Sequence, residues 1–152
     1  MRTDLYGLAN WVMKQRAPVF GAMDGDLKLP KEPAGFDDPG VERTYNFLKA
    51  HGLKVNEVPQ SYLLQRFAVA RKEDAIGILD GRNVYLATDY RGRKLPGRIK
   101  RAVALHELGH YTKGPSESAA QKEALRLATD VLPDEEARAA MLEFGKAYGW
   151  LN

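Results

Sequence analysis

Apolar and polar residues follow two different periods along this chain. Near the start, Leu5, Leu8, Trp11 and Val12 recur at helical spacing, which predicts an amphipathic helix over about residues 4–16 with Pro18 helping to end it. Residues 21–40, "GAMDGDLKLPKEPAGFDDPG", are dense in Gly, Pro and Asp and predict a long irregular connection. A loop of that length inside a compact domain is either functional or draped over the surface. Val41, Tyr45 and Leu48 then return to helical spacing, predicting a helix over 41–50 with Gly52 as its C-terminal cap.

In the middle of the chain the period shortens. "RFAVAR" (66–71), "AIGIL" (75–79) and "NVYLAT" (83–88) are short and rich in β-formers, and polar turns at Lys72-Glu73-Asp74 and Asp80-Gly81-Arg82 separate them. The pattern predicts a three-stranded antiparallel meander, with "LKVNEV" (53–58) a candidate fourth strand. From Pro96 onward it is helical again. "GRIKRAVALHELGHY" (97–111) predicts one helix. "ESAAQKEALRLATDVL" (117–132) predicts a second with Ser116 as N-cap, and "EEARAAMLEFGKAYGW" (135–150) a third with Asp134 as N-cap. Strands first and helices last give an α+β class. The expected organisation is a single domain over 1–152: an N-terminal helix within 1–17, an irregular segment over 18–40 and a core over 41–152.

Composition narrows the chemistry. The chain has 152 residues, 44% of them hydrophobic and 28% charged, which suits one folded globular domain. It has no cysteine, so disulfides, thiolate metal sites and a cysteine nucleophile are excluded, and any metal must be held by His, Asp or Glu. A net charge of +3 is too small to argue for nucleic-acid binding by itself. No apolar run reaches the roughly 18 residues of a membrane span. Asp4 and Asn10 interrupt the first apolar stretch, which argues against a signal peptide and leaves the cytoplasm as the expected location.

Two of the three histidines lie in one apolar run, as His106-Glu107-Leu108-Gly109-His110. On a helix, positions four apart point about 40° apart, so both imidazoles face one way, one turn apart. Glu107 lies about 100° from the first and about 60° from the second. Such a pair can hold one Zn2+, and the carboxylate beside it can take a proton from a water that the ion activates. The plain alternative is a buried structural histidine pair. Against it, the helix is apolar nearly all round, and two unpaired imidazoles and a carboxylate inside it would cost several kcal/mol. Gly109 is costly in a helix interior unless something approaches it closely.

A catalytic zinc ordinarily takes three protein ligands. His51, the remaining histidine, sits at the end of a predicted helix, where an imidazole has an ordinary capping role. The third ligand is therefore expected to be a carboxylate from the next helix. Equal stepping from the turn at Gly114-Pro115-Ser116 lands near residues 121–123 and favours Glu123. Glu117 is the rival, set back because it lies close to the turn and because an acid in a first helical turn has a dipole explanation.

With these residues in place, "HELGH" followed by "EALRLATDVLP" (123–133) resembles the ImmA/IrrE-type zinc metallopeptidases among the gluzincins. Glu123, Ala124, Ala128, Leu132 and Pro133 echo that family's pattern E-A-N-x-F-A-A-x-L-L-M-P. Leu125 stands where Asn is usual, Leu127 replaces Phe, and one residue is missing before Pro133. The minigluzincins, compact single-domain peptidases, share the same parts. The resemblance implies a small zincin-like fold, with a short sheet packed on the HExxH helix. It also implies a zinc peptidase acting on a protein substrate, often a regulatory one, with Glu123 as third ligand. Either the Asp-rich loop of 21–40 or "AYGWLN" (147–152) could cover the cleft and hold the enzyme inactive, and in minigluzincins a C-terminal segment does so.

Four further expectations concern the surroundings. "NVYLAT" is the candidate edge strand for an extended peptide substrate, with an ordinary core strand the equal alternative. The basic run Arg91, Arg93, Lys94, Arg98, Lys100 and Arg101 is expected to be a solvated loop and helix face before it is a nucleic-acid surface. A tyrosine or arginine could stabilise an oxyanion; Tyr111 is one candidate, with plain packing the alternative. The alternative function is an inactive or latent zincin-fold binding module, of a regulatory or nucleic-acid-associated kind; the intact Glu107 argues against it.

Overall fold

The chain enters its first helix through Asp38, whose carboxylate accepts from the backbone N–H groups of Gly40 and Val41. The structure, a computed structural model, describes residues 38–147 and 149–151. The helix expected over 4–16 and most of the expected loop lie outside those residues. Helix α1 spans Pro39–Ala50, so the end of the expected loop is already helical. Proline suits a first helical position because its missing N–H has no intrahelical partner there. Val41 and Leu48 face inward, and Gly52, with φ +90°, closes the end as expected.

Strand β1, Lys54–Val58, follows, and two short helices come next: α2, Gln60–Arg66, and α3, Ala68–Glu73. Neither helix was expected. "RFAVAR", predicted as a strand, is the junction and start of α3. Phe67 is extended between the helices, and Ala68 and Ala70, good helix formers, outweigh the single Val69, which is 43% exposed. Asp74 ends α3 in the left-handed region.

Strands β2, Gly77–Asp80, and β3, Asn83–Ala87, form the predicted hairpin, with Gly81 at φ +63° as its first turn residue. The sheet order is β1-β3-β2, and β1 pairs parallel to β3. The sheet is therefore mixed and not an antiparallel meander. Two helices between β1 and β2 supply the length that a parallel pairing needs. β3 is central, with a neighbour on each side, which corrects the edge reading of "NVYLAT" in favour of its core-strand alternative; among the described residues the outer strands are β1 and β2. A second hairpin, β4 (Asp89–Tyr90) and β5 (Arg93–Lys94), turns through Arg91 and Gly92, both at positive φ.

Helix α4, Gly97–Lys113, is the centre of the molecule. It packs against β2 and β3 on one side and against α1 and two later helices on the others. From Ile99 through Gly109 every residue is buried. Ile99, Leu105 and Leu108 each contribute about 1.5–3 kcal/mol of apolar burial. The α+β class and the central HExxH helix expected from the pattern are what the structure has.

Helix α5 spans Glu117–Arg126, with the Ser116 hydroxyl accepting from Ala119 N–H, and then widens into a π-helical turn, Leu127–Val131. Leu132 precedes Pro133, which disfavours α geometry, and its N–H reaches back five residues to Leu127 O. Helix α6, Glu135–Ala147, is capped by Asp134 as predicted, its carboxylate accepting from Ala137 N–H.

The basic run of 91–101 is tied inward in part. Arg101, 5% exposed, bonds Asp38, Asp134 and Glu136, joining the caps of α1 and α6 to α4. Burial works against its charge, but those three carboxylates outweigh it and hold the pKa above the ordinary arginine value. Lys100 pairs with Glu57 on β1 at 3.1 Å. Glu57 also accepts from the Tyr45 hydroxyl, and burial first, then that carboxylate, pushes the phenol far up. Among the described residues no helix is long and apolar enough to cross a membrane.

Candidate metal centre

His106 and His110 lie one turn apart on α4, with ring centroids 4.8 Å from each other. After α4 the chain turns through Gly114 and starts α5 at once, which carries Glu117 back over the pair. Glu117 Oε1 is 3.1 Å from His106 Nε2 and 3.1 Å from His110 Nε2. Among the described residues these three form a group whose donor atoms lie within 4.8 Å of one another and could hold a metal ion. His106 is fully buried, and the His110 and Glu117 side chains are 13% and 15% exposed.

The other ring nitrogens settle the tautomers. His110 Nδ1 lies 2.9 Å from the carbonyl oxygen of Gly114, which can only accept, so that nitrogen carries the proton. His106 Nδ1 lies 2.5 Å from Gln121 Oε1. In the neutral rings both Nε2 atoms therefore carry lone pairs, and both face Glu117 Oε1. A positive charge among them, a metal ion or a proton on a ring, draws such a group together. Tetrahedral zinc with bonds of about 2.0–2.1 Å sets its ligands about 3.3 Å apart; the two 3.1 Å separations are close to that, and the group as a whole, spread over up to 4.8 Å, would draw in around an ion. The donor set of two imidazoles and one carboxylate suits that ion.

Glu123, the acid favoured from the sequence, lies elsewhere. Its carboxylate is bound by Arg126 one turn on, at 2.7 and 3.0 Å, and that bond first of all holds its pKa below the ordinary range. The reason is rotational. The stripe of α5 that buries itself is Ala120, Gln121 and Ala124. Glu117 is four residues before Gln121 and shares its face, whereas Glu123 is six residues from Glu117 and turned away by about 120°. Equal stepping paired the correct helices and left out their phase. His51 is the C-cap of α1, with Nδ1 against Phe47 O, as its ordinary role predicts.

Gly109, between the two histidines, is the closest approach of α5. A Cβ there would lie 3.0 Å from the Ala120 Cα and carbonyl carbon and closer still to its oxygen. Glu107 sits beside the pair on α4 and is 2% exposed. Tyr111 is partly buried against the core, which is the packing alternative to an oxyanion role.

Of two further neighbours, Gln121 was not anticipated, whereas Trp150 lies in the C-terminal segment already singled out. Gln121 is fully buried, and a glutamine in a stripe of alanines was the available sign. Trp150 lies with its ring 5.1 Å from that of His106, and its carbonyl oxygen accepts from the Ser118 hydroxyl at 2.8 Å. Gly145 makes room for the Leu151 side chain, which secures the fold-back after α6.

Comparison of the chain with protein-family models, with curated proteins and with solved structures finds no match.

Proposed function

We propose that the protein is a zinc-dependent metallopeptidase in which His106, His110 and Glu117 hold the ion and Glu107 is the general base. The observation that carries this reading is the convergence of two Nε2 atoms of α4 and a carboxylate oxygen of α5 at 3.1 Å, beside Glu107 on α4. A zinc ion bound there would lower the pKa of a water to about 7 and polarise a substrate carbonyl. The Glu107 carboxylate would take the proton released in the attack and pass it to the leaving amine. The α4 and α5 backbones hold the ligands rigidly, and the burial of His106 keeps bulk water from that ring. An extended peptide would lie along β1 or β2, the outer strands of the sheet among the described residues. The "HELGH" resemblance to ImmA/IrrE-type peptidases supports the same chemistry, although the family's glutamate falls at Glu123 and the gathered acid is Glu117.

Trp150 favours a second reading, a latent form of the same enzyme. Its ring stands against His106, and it is itself only 8% exposed. In that arrangement the C-terminal turn must move before a peptide reaches the pair.

The test of the main reading is Glu107→Gln. It should retain one zinc per chain and lose cleavage of a denatured protein substrate. Cleavage at the wild-type rate would remove Glu107 from the mechanism.

A further inference from the structure

We infer that Gln121 is a positioning residue that sets the tautomer of His106 and aims its Nε2 at the metal position. The consequence for zinc rests on the reading above; the tautomer itself does not. Gln121 is fully buried on α5, so both ends of its amide need partners. Its Nε2 donates to the Met141 carbonyl oxygen on α6 at 2.9 Å. A carbonyl oxygen only accepts, so the amide cannot be turned over, and Oε1 is the end that faces His106 Nδ1. Oε1 also only accepts, so Nδ1 must carry the hydrogen. A neutral imidazole has one N–H, which leaves Nε2 as the lone pair directed at Glu117 Oε1.

This preference is imposed by the surroundings, because a free histidine side chain in water favours the hydrogen on Nε2. The two histidines are held by different means. His110 gives its Nδ1 hydrogen to backbone, at Gly114 O, and no side-chain substitution removes that acceptor. His106 depends on one side chain, anchored in turn by α6. Through that anchor a helix that supplies no ligand fixes the direction of one that does. Partners of this kind typically set metal affinity by about 10–100-fold.

A role confined to tying α5 to α6 makes a different prediction. Gln121→Met fills similar space and loses both bonds. Gln121→Glu loses the amide donor but restores an oxygen acceptor for Nδ1. Nitrogen-15 chemical shifts of the imidazoles, read in metal-free protein at a pH where the rings are neutral, report the tautomer. Wild type should show the hydrogen on Nδ1 of both His106 and His110. Gln121→Met should move His106 toward the Nε2–H form, leave His110 unchanged, and weaken zinc binding by about 10–100-fold in a chelator competition. Gln121→Glu should restore the His106 signature and most of the zinc affinity. The inference is overturned by an Nε2–H form of His106 in the wild type, a reading that needs no variant to fold. It is also overturned if Gln121→Glu and Gln121→Met are equally impaired in tautomer and affinity. A wild type with the Nδ1–H form that binds no zinc would sink the metallopeptidase reading and leave the role of Gln121 standing.

Discussion

The backbone of Ala120 on α5 lies directly against Gly109 on α4, in the space that a side chain at 109 would need. This contact lies between the two histidines in sequence and between Glu117 and Gln121 on the partner helix. It sets the distance across which the Glu117 carboxylate reaches both imidazoles and Gln121 reaches His106. Backbone occupies the space, so a methyl group at 109 cannot be accommodated by a rotamer change. Gly109→Ala should cost about 1–3 kcal/mol of stability despite its better helix propensity. It should also weaken zinc binding, because α5 must move away. Thermal unfolding and a zinc titration check both parts, and a variant more stable than wild type would contradict the contact.

Glu117 and Glu123 should behave as opposites. Glu117→Gln removes the charged oxygen between the imidazoles and should lower zinc affinity by more than the roughly 10–100-fold typical of a lost supporting bond. Glu123→Gln should leave zinc affinity unchanged and alter stability alone. Arg126 holds the Glu123 pKa below its ordinary value. The stabilisation from that pair is therefore complete above the unfolded glutamate pKa and disappears as pH falls through the lower folded value. Wild type and Glu123→Gln should differ in unfolding midpoint at neutral pH and converge in strong acid. A chelator competition and a pH series of melts measure the two effects.

Deleting residues 148–152 removes Trp150 from the His106 ring and the carbonyl that Ser118 bonds. If this segment keeps the enzyme latent, the shortened protein should cleave a denatured substrate faster at unchanged zinc content. Equal or lower activity with the same zinc would assign Trp150 a packing role only.

The sequence carried the central helix, its two caps downstream and the histidine pair, because each rests on local spacing. Ser116 and Asp134 cap the helices they precede, and the unbroken apolar run from Ala102 to Leu105 implied burial on all sides. Features set by tertiary contact were hidden. "RFAVAR" sets two strand formers, Phe67 and Val69, among helix formers, and its environment decided the outcome. The parallel pairing of β1 with β3 depends on what the helices between them allow. The acid that lies beside the pair is Glu117 and not the expected Glu123, because helix phase, not depth from the turn, selects the side chain. Gly109 alone announced the helix contact, through a residue with no other reason to be there.

The most direct test of the metal centre is anomalous diffraction at the zinc edge from crystals grown with equimolar zinc. The expected result is one peak about 2.0–2.1 Å from His106 Nε2, His110 Nε2 and Glu117 Oε1. Density without a peak there, or a peak that recruits Glu123 in place of Glu117, would contradict the account.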